Sequence, residues 1–174
     1  MAVIRRGVLS ILGASLALLT ACGDDGGTPS SCLPECPASR GYDAESYHLS
    51  ARFDWTTSTL HAVEDLTLAG LETPIVELDA DVDVTEVRSG SQRLAFANDR
   101  DAGTLHVDLG PIIGDGTPVT FTVEYTAPLS DALRIGGPRD DDPITARLLY
   151  TDSEPDRGLR WLVAKHDPAD RALW

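Results

Sequence analysis

Apolar and polar residues alternate along most of the chain from Tyr42 onward. Every second residue from Tyr47 to Trp55 is apolar, and Val119–Tyr125 shows the clearest alternation. A period of two residues is typical of a strand with one buried and one solvent-facing side. Turn-forming residues separate such segments roughly every 8 to 12 positions, which is typical of all-β domains. The pattern therefore predicts a fold built from short antiparallel strands.

We predict about eight strands and no long amphipathic helix, and hence an antiparallel sandwich or saddle-shaped sheet. In the second strand, from Leu60 to Leu71, one side carries Ala62, Glu64, Leu66 and Leu68. The chain from Pro128 to Pro143 is predicted to be a loop. The other predicted strands lie near residues 75–79, 82–87, 94–96, 105–109 and 119–125.

The C-terminal part alternates between apolar runs and an acidic turn. The apolar run 148–150 leads into the acidic turn 152–156, and a second apolar run follows at 159–163. Asp167 and Pro168 predict the start of a helix, as N-cap and first helical residue. We expect Leu162, Val163 and residues 172–174 to find few partners within this chain and to form an interface.

The first 21 residues have the organisation of an export signal. Arg5 and Arg6 precede an apolar segment, Val8–Leu19, of 12 residues, which is shorter than the ~20 residues that span a bilayer. The residues ending at Cys22 resemble the bacterial lipobox, which implies acylation of Cys22 and a lipid-anchored position in the cell envelope. Plain secretion with an incidental cysteine is the alternative.

Residues 22–41 are rich in Gly, Ser, Pro and Asp and predict a flexible tether to the membrane. Cys32 and Cys36 lie within it, and outside the cytoplasm we expect them to form a local disulfide. Free or intermolecular thiols are an alternative. A metal site is another, but it would need two further ligands. Residues 42–174 form the predicted β-domain.

Charge and missing motifs narrow the functional classes. The net charge is −14, and removal of residues 1–21 takes away two arginines and no acid, leaving −16. Such a surface repels phosphate backbones, so we expect no nucleic-acid partner. The sequence contains no His-Glu-x-x-His zinc motif and no Gly-x-Ser-x-Gly nucleophile turn. The acids Asp79, Asp81 and Asp83 lack the Gly and Glu that a calcium loop requires later on, so we interpret them as solvent-facing strand residues.

The region from Tyr42 to Trp174 resembles the N-terminal domain of the M1 zinc aminopeptidases, which are related to aminopeptidase N. Residues 47–54 resemble the opening strand of that domain, and residues 150–155 resemble its Tyr-Thr-Gln-x-Glu segment. The segment 160–172 is similar to the family's Arg-x-Trp-Phe-Pro-Cys-x-Asp-x-Pro segment. Val163 and Ala164 depart from it, because the family has Pro and Cys there.

The resemblance implies a saddle of β-sheet that packs on a separate catalytic domain. It also assigns Glu154 to binding of the substrate's free amino group, with Asp152 in place of the family's Gln. From the residues alone, Glu154 is a solvated acid in a turn. The family's zinc-binding helix has no counterpart in these 174 residues, so we expect no cofactor on this chain and no hydrolysis by it, although the family uses zinc.

Three functional hypotheses follow from these observations. The first is a lipid-anchored, non-catalytic β-domain of an M1-type metallopeptidase, as a truncated or remnant peptidase. Its partners would be the membrane, through Cys22, and a catalytic peptidase domain. The second is a self-contained surface β-sandwich that binds a ligand or a protein. The third is a fragment of an active zinc aminopeptidase.

Overall fold

The computed structural model describes residues 40–113, 116–137, 148–154, 157–167 and 172–173, and it confirms the predicted all-β, antiparallel architecture. A 3-10 turn at Gly158–Arg160 is the helical element of these ranges. The strands are β1 (Asp43–Asp54), β2 (Thr59–Ala69), β3 (Ile75–Asp79), β4 (Asp83–Ser89), β5 (Gln92–Arg93), β6 (Phe96–Asp99), β7 (Thr104–Asp108), β8 (Val119–Pro128), β9 (Leu133–Gly136) and β10 (Leu148–Thr151).

The strands form three sheets with antiparallel pairing. The largest has the order β1-β2-β8-β4-β5, the second has the order β3-β7-β6, and β9 pairs with β10 in a two-stranded sheet. Strand β8 lies in the middle of the largest sheet, between β2 and β4, and one side of it is buried along its whole length, at Val119, Phe121, Val123, Tyr125 and Ala127. A central strand with one fully apolar side provides the surface on which the second sheet packs.

The core lies between the two larger sheets. Buried side chains of β2 and β8 meet those of β3 and β7, including Leu66, Phe121, Val76 and Leu105, in one continuous cluster. The second strand ends at Ala69, two residues before the predicted end, and the first begins at Asp43, four residues before the predicted start. Within the described ranges, no helix has the length and apolar character needed to cross a membrane.

The prediction of an uninterrupted loop from Pro128 to Pro143 is wrong. Strand β9 lies within this segment and pairs with β10, with Leu133 opposite Thr151 and Gly136 opposite Leu148. Four residues are too few to show a recognisable alternation, and the partner strand is distant along the chain. Only the pairing reveals the strand.

The expectation that Leu162 and Val163 have few partners in this chain is also wrong. Val163 has an exposed fraction of 0%, and Leu162 and Ala164 are buried as well. The backbone of Ala164 exchanges two hydrogen bonds with Asp79 of β3. The segment 157–167, which we call the C-terminal segment, is therefore part of the core of the sandwich. Leu173 is 76% exposed, yet its backbone bonds to β1 at Glu45 and Tyr47.

Several predictions concern residues outside the described ranges. These are the export signal, the acylation of Cys22, the disulfide between Cys32 and Cys36, and the helix after Asp167. Asp167 itself is described and lies outside any regular element.

Candidate functional site

The site that the sequence indicates lies in the turn that follows β10. The last ladder pair of the β9–β10 sheet is Thr151 with Leu133, and the amide of Asp152 donates to the carbonyl of Ala132 at 2.8 Å. The chain then leaves the sheet at Ser153 and Glu154. The two-stranded sheet thus determines where the two acidic residues of the turn lie.

Asp152 is engaged by two arginines. Its carboxylate lies 3.2 Å from Nη1 of Arg157 and 3.9 Å from Nη2 of Arg134. All three side chains are partly exposed, so each pair contributes little to stability. The consequence is local: the charge of Asp152 is balanced within the chain.

Glu154 is exposed, and its two ends differ in their contacts. Its carbonyl oxygen accepts a hydrogen bond of 2.6 Å from Nε of Arg157. Its carboxylate makes no ion pair with any residue of the described part of the chain. The backbone of Glu154 is therefore fixed, while its negative charge remains available to a cation from outside.

Residues of the C-terminal segment also form hydrogen bonds with Ser153 of the turn. The amide of Arg157 donates to the carbonyl of Ser153 at 3.1 Å, and Nε1 of Trp161 donates to Oγ of Ser153 at 3.1 Å. Because the C-terminal segment belongs to the core, these bonds connect the turn to the rigid part of the fold. Side chains supported in this way hold a fixed position for a ligand.

Further ion pairs connect the C-terminal segment to the loops of the sandwich. Arg160 contacts the carboxylates of Asp131 and Asp81, and Arg100 pairs with Asp81 and Asp83. The interpretation of the three acids as solvent-facing strand residues holds for Asp83 on β4, whereas Asp81 lies between β3 and β4 and Asp79 on β3 is mostly shielded. Asp81 and Asp83 both pair with arginines.

Asp79 and Glu77 of β3 form a second cluster with Arg40 and His106. Arg40 binds both carboxylates, and Nε2 of His106 lies 3.1 Å from Glu77. Burial disfavours the charged form of both acids, but the bonds from His106 and Arg40 to Glu77, and from Arg40 and the His166 amide to Asp79, outweigh it and lower both pKa values. This cluster links β3 to Arg40 at the start of the domain and to His166 of the C-terminal segment.

Sequence reasoning missed the most unusual residue of the core, Glu64. It lies on the inner side of β2 with an exposed fraction of 0%. Its Oε2 accepts bonds from the hydroxyl of Tyr125 at 2.9 Å and from the amide of Val163 at 3.2 Å, whereas its Oε1 has no hydrogen-bond partner among the described residues. Burial raises the pKa of Glu64 to about 7, although both bonds act to lower it. The signal was present, because Glu64 stands among apolar residues of the same strand side.

The zinc that the resemblance implies finds no ligand set in the part of the chain that the structure describes. Those residues include no group of three or more His, Cys, Asp or Glu side chains arranged to hold a metal. The histidines at positions 48, 61, 106 and 166 are dispersed over different strands and the C-terminal segment.

The comparisons with known proteins identify the fold. No family model matches the sequence, and no curated protein matches it either. Among solved structures, the M1 zinc metallopeptidase of Deinococcus radiodurans superposes with a TM-score of 0.59 at 22% identity, over 78% of this chain and 31% of that one. Native leukotriene A4 hydrolase of Saccharomyces cerevisiae gives 0.61 at 11% identity, over 81% and 26%. The yeast enzyme in complex with bestatin gives 0.63 at 13% identity, over 76% and 22%.

These similarities define the class of the domain. The chain has the fold of the N-terminal β-domain of M1 zinc metallopeptidases, as the resemblance in the sequence implied. It spans between a fifth and a third of the length of the structures it matches. At this level of identity the comparison establishes the fold alone.

Proposed function

We propose that this chain is the non-catalytic β-domain of an M1-type metallopeptidase, and that Glu154 binds the free amino group of a peptide. One observation carries the proposal. The turn after β10 balances the charge of Asp152 with Arg157 and Arg134, and leaves the carboxylate of Glu154 exposed without an ion pair among the described residues. The fold of the domain supports the same assignment.

The chemistry of this site suits a primary ammonium group. A carboxylate accepts charge-assisted hydrogen bonds from an ammonium, and each is worth about 1.5–3 kcal/mol when the site is shielded from water. In the isolated chain Glu154 is exposed, so the interaction would be weak. A catalytic domain that covers the turn would remove the competing water and strengthen it.

The surface next to the turn suits such a covering domain. Leu148 and Tyr150 of β10 are exposed large apolar residues, and they lie on the strand that leads into the turn at Asp152. Exposed apolar side chains near a candidate binding site are typical of interfaces. We propose that a catalytic domain covers them and supplies the zinc ligands.

The decisive experiment uses the complete product of the gene that encodes this chain. The coding DNA after codon 174 is read for an in-frame His-Glu-x-x-His. If it is present, the complete product is purified and assayed on an amino-acyl anilide. Glu154→Gln should raise KM by about 10- to 100-fold, as expected for loss of a charge-assisted bond.

Matched controls make this result specific. Asp83→Asn removes a surface acid of the same domain and should leave KM unchanged. An unchanged KM in Glu154→Gln would exclude the amino-group role. A stop codon directly after codon 174 would exclude a catalytic domain on the same chain.

A second candidate function is a self-contained surface β-sandwich that binds a ligand or protein. The burial of Leu162, Val163 and Ala164 within this chain favours it, because the domain does not need a partner to cover them. It predicts a monomer that unfolds in one sharp transition. Sedimentation and denaturant unfolding of the purified chain would test it, and aggregation through the C-terminal segment would count against it.

We also propose that acylated Cys22 anchors the protein in the bacterial cell envelope. The basic start, the short apolar segment and the residues before Cys22 support this. Stable anchoring requires more than one acyl chain. The test is detergent phase partitioning of the protein expressed with its own N-terminus in a bacterium. Cys22→Ser should move it from the detergent phase to the aqueous phase, whereas Cys32→Ser should not.

A further inference from the structure

A carboxyl group that is buried with no positive partner among the described residues needs a physical explanation, and Glu64 is such a group. In the ladder it lies between Leu49 of β1 and Val123 of β8, so the neighbours across both strands are apolar. Its Oε1 is buried and has no hydrogen-bond partner in the part of the chain that the structure describes. A buried polar atom of this kind costs about 1–3 kcal/mol, and more when it carries charge. The ionised form of Glu64 is therefore unfavourable while the site stays closed.

The hydrogen bonds around Glu64 depend on its proton. The hydroxyl of Tyr125 lies 2.9 Å from Oε2 of Glu64 and 3.2 Å from the carbonyl oxygen of Trp161. A phenol has one proton to donate. When Glu64 is protonated on Oε2, it donates to the phenol, and the phenol donates to Trp161. When Glu64 is ionised, the phenol donates to the carboxylate and the carbonyl of Trp161 loses its donor.

The C-terminal segment covers this group directly. The amide of Val163 donates to Oε2 of Glu64, and Val163 itself is completely buried. Water can reach the orphaned Oε1 only if a covering element moves. The sheet strands on either side are held by long ladders, whereas Trp161 and Val163 each contact Tyr125 or Glu64 through one hydrogen bond and lie outside any ladder. Residues 161–163 are therefore the part of this cover that can move without breaking a ladder.

Charges on the surrounding elements are already engaged elsewhere. On the C-terminal segment, Arg160 binds Asp131 and Asp81, and Nζ of Lys165 donates to the carbonyl of Tyr42. On β1, the hydroxyl of Tyr47 accepts from the amide of Lys165. On the facing sheet, Glu77, Asp79 and His106 belong to the cluster around Arg40. On β8, Tyr125 is the titratable group that contacts Glu64.

We propose that Glu64 is a protonation-dependent latch that holds residues 161–163 of the C-terminal segment against β2 and β8. The neutral carboxyl closes the latch through Tyr125, Trp161 and Val163. The ionised carboxylate favours an open state in which water solvates Oε1. Burial raises the pKa of Glu64 to about 7, so the change falls in the neutral range.

The latch acts on the candidate site through Trp161. The same residue whose carbonyl accepts from Tyr125 donates its indole N–H to Ser153, next to Glu154. Opening at Trp161 therefore releases one support of the turn. This coupling does not depend on what Glu154 binds, so the latch and the amino-group role can fail independently.

The test is amide hydrogen exchange of the full chain, followed by NMR between about pH 5 and pH 8 and corrected for the intrinsic rate. A pKa raised from 4.5 to about 7 allows the opening equilibrium to rise by about tenfold to a hundredfold over this range. We expect this loss of protection at Leu162 and Val163, and at each pH faster exchange there than at Val123 in the middle of β8, which exchanges only when the whole domain unfolds. Equal protection of Val163 at both pH values would overturn the proposal, and so would equal exchange at Val163 and Val123, because the opening would then be global unfolding.

Two variants and one direct measurement complete the test. Glu64→Gln cannot ionise, so its Val163 protection should not change with pH. Tyr125→Phe keeps the ring and removes the relay hydroxyl, so Val163 should exchange faster even at about pH 5. If either variant fails to fold, the carbon-13 shift of the wild-type Glu64 carboxyl gives the titration directly. A midpoint near the ordinary value of 4.5 would overturn the latch.

Discussion

The guanidinium of Arg157 holds the backbone of Glu154, with Nε donating to the Glu154 carbonyl at 2.6 Å. Its Nη1 also lies 3.2 Å from the carboxylate of Asp152. One side chain thus fixes the position of one acidic residue and balances the charge of the other. The two acidic residues that the sequence indicated therefore differ in their contacts. Asp152 helps to hold the turn in place, and Glu154 is the exposed acid on that turn.

Arg157→Ala should loosen the turn with little effect on global stability. The pairs it removes are partly exposed, so we expect the free energy of unfolding to fall by about 1 kcal/mol or less. The backbone amide at position 157 should exchange faster after correction for the intrinsic rate, because its bond to Ser153 depends on the ordered turn. The control is Arg93→Ala, which removes another surface pair, with Glu86. Unchanged exchange at position 157 would show that Trp161 alone orders the turn.

Stability should decrease from mildly acidic to alkaline pH because of Glu64. Its pKa is raised from 4.5 in the unfolded chain to about 7 in the fold, so the folded state binds more protons over that interval. The stabilisation is fully present below about pH 4.5 and is lost as the pH rises through 7. Between about pH 5 and pH 8 we expect a loss of about 2–3 kcal/mol, measured by denaturant unfolding.

Glu64→Gln is the matched variant for that measurement. The amide stays neutral at every pH, so the decline above about pH 5 should be absent. A decline of equal size in the variant would assign the pH dependence to another group.

The cluster around Arg40 should make stability depend on pH in the opposite direction, with a loss at acidic pH. The pKa values of Asp79 and Glu77 are lowered in the fold, so their stabilisation is present above the unfolded values and lost as the pH falls below about 4. Asp79→Asn should lower stability by about 2 kcal/mol at about pH 5, since it weakens bonds from Arg40 and the His166 amide. The substitution should also reduce the loss of stability at acidic pH. Asp83→Asn, at a more exposed position, is the control and should do neither.

Val163→Ala should destabilise the whole domain. Two buried methyl groups are lost, which costs about 2 kcal/mol when a cavity remains. Leu173→Ala removes more atoms, but from a side chain that is 76% exposed, so its effect should stay within about 0.5 kcal/mol. Urea unfolding of both variants measures the difference. Equal, small effects would show that the C-terminal segment is not part of the cooperative core.

Strand β8 illustrates what could be predicted from sequence. Its five inward-facing apolar residues form a regular alternation, and such a pattern requires one buried side wherever the strand lies. Strand β9 illustrates the opposite case. Its four residues, Leu-Arg-Ile-Gly, are too few for their alternation to identify a strand, and only the pairing with β10 reveals it. The candidate site also has one part that could be predicted from sequence and one part that could not. Resemblance indicated Glu154, but the roles of Arg157 and Trp161 depend on contacts that sequence separation does not reveal.

The sequence by itself determined the strand alternation, the side of β2 on which Glu64 lies, and the acidic turn that contains Glu154, because each depends on neighbouring residues and a local period. The tertiary structure decided that Glu64 is buried against Val163, that Asp152 is paired while Glu154 is left exposed, and that the C-terminal segment closes the core. These outcomes depend on which distant residues come together, and only the packing of the three sheets sets those distances.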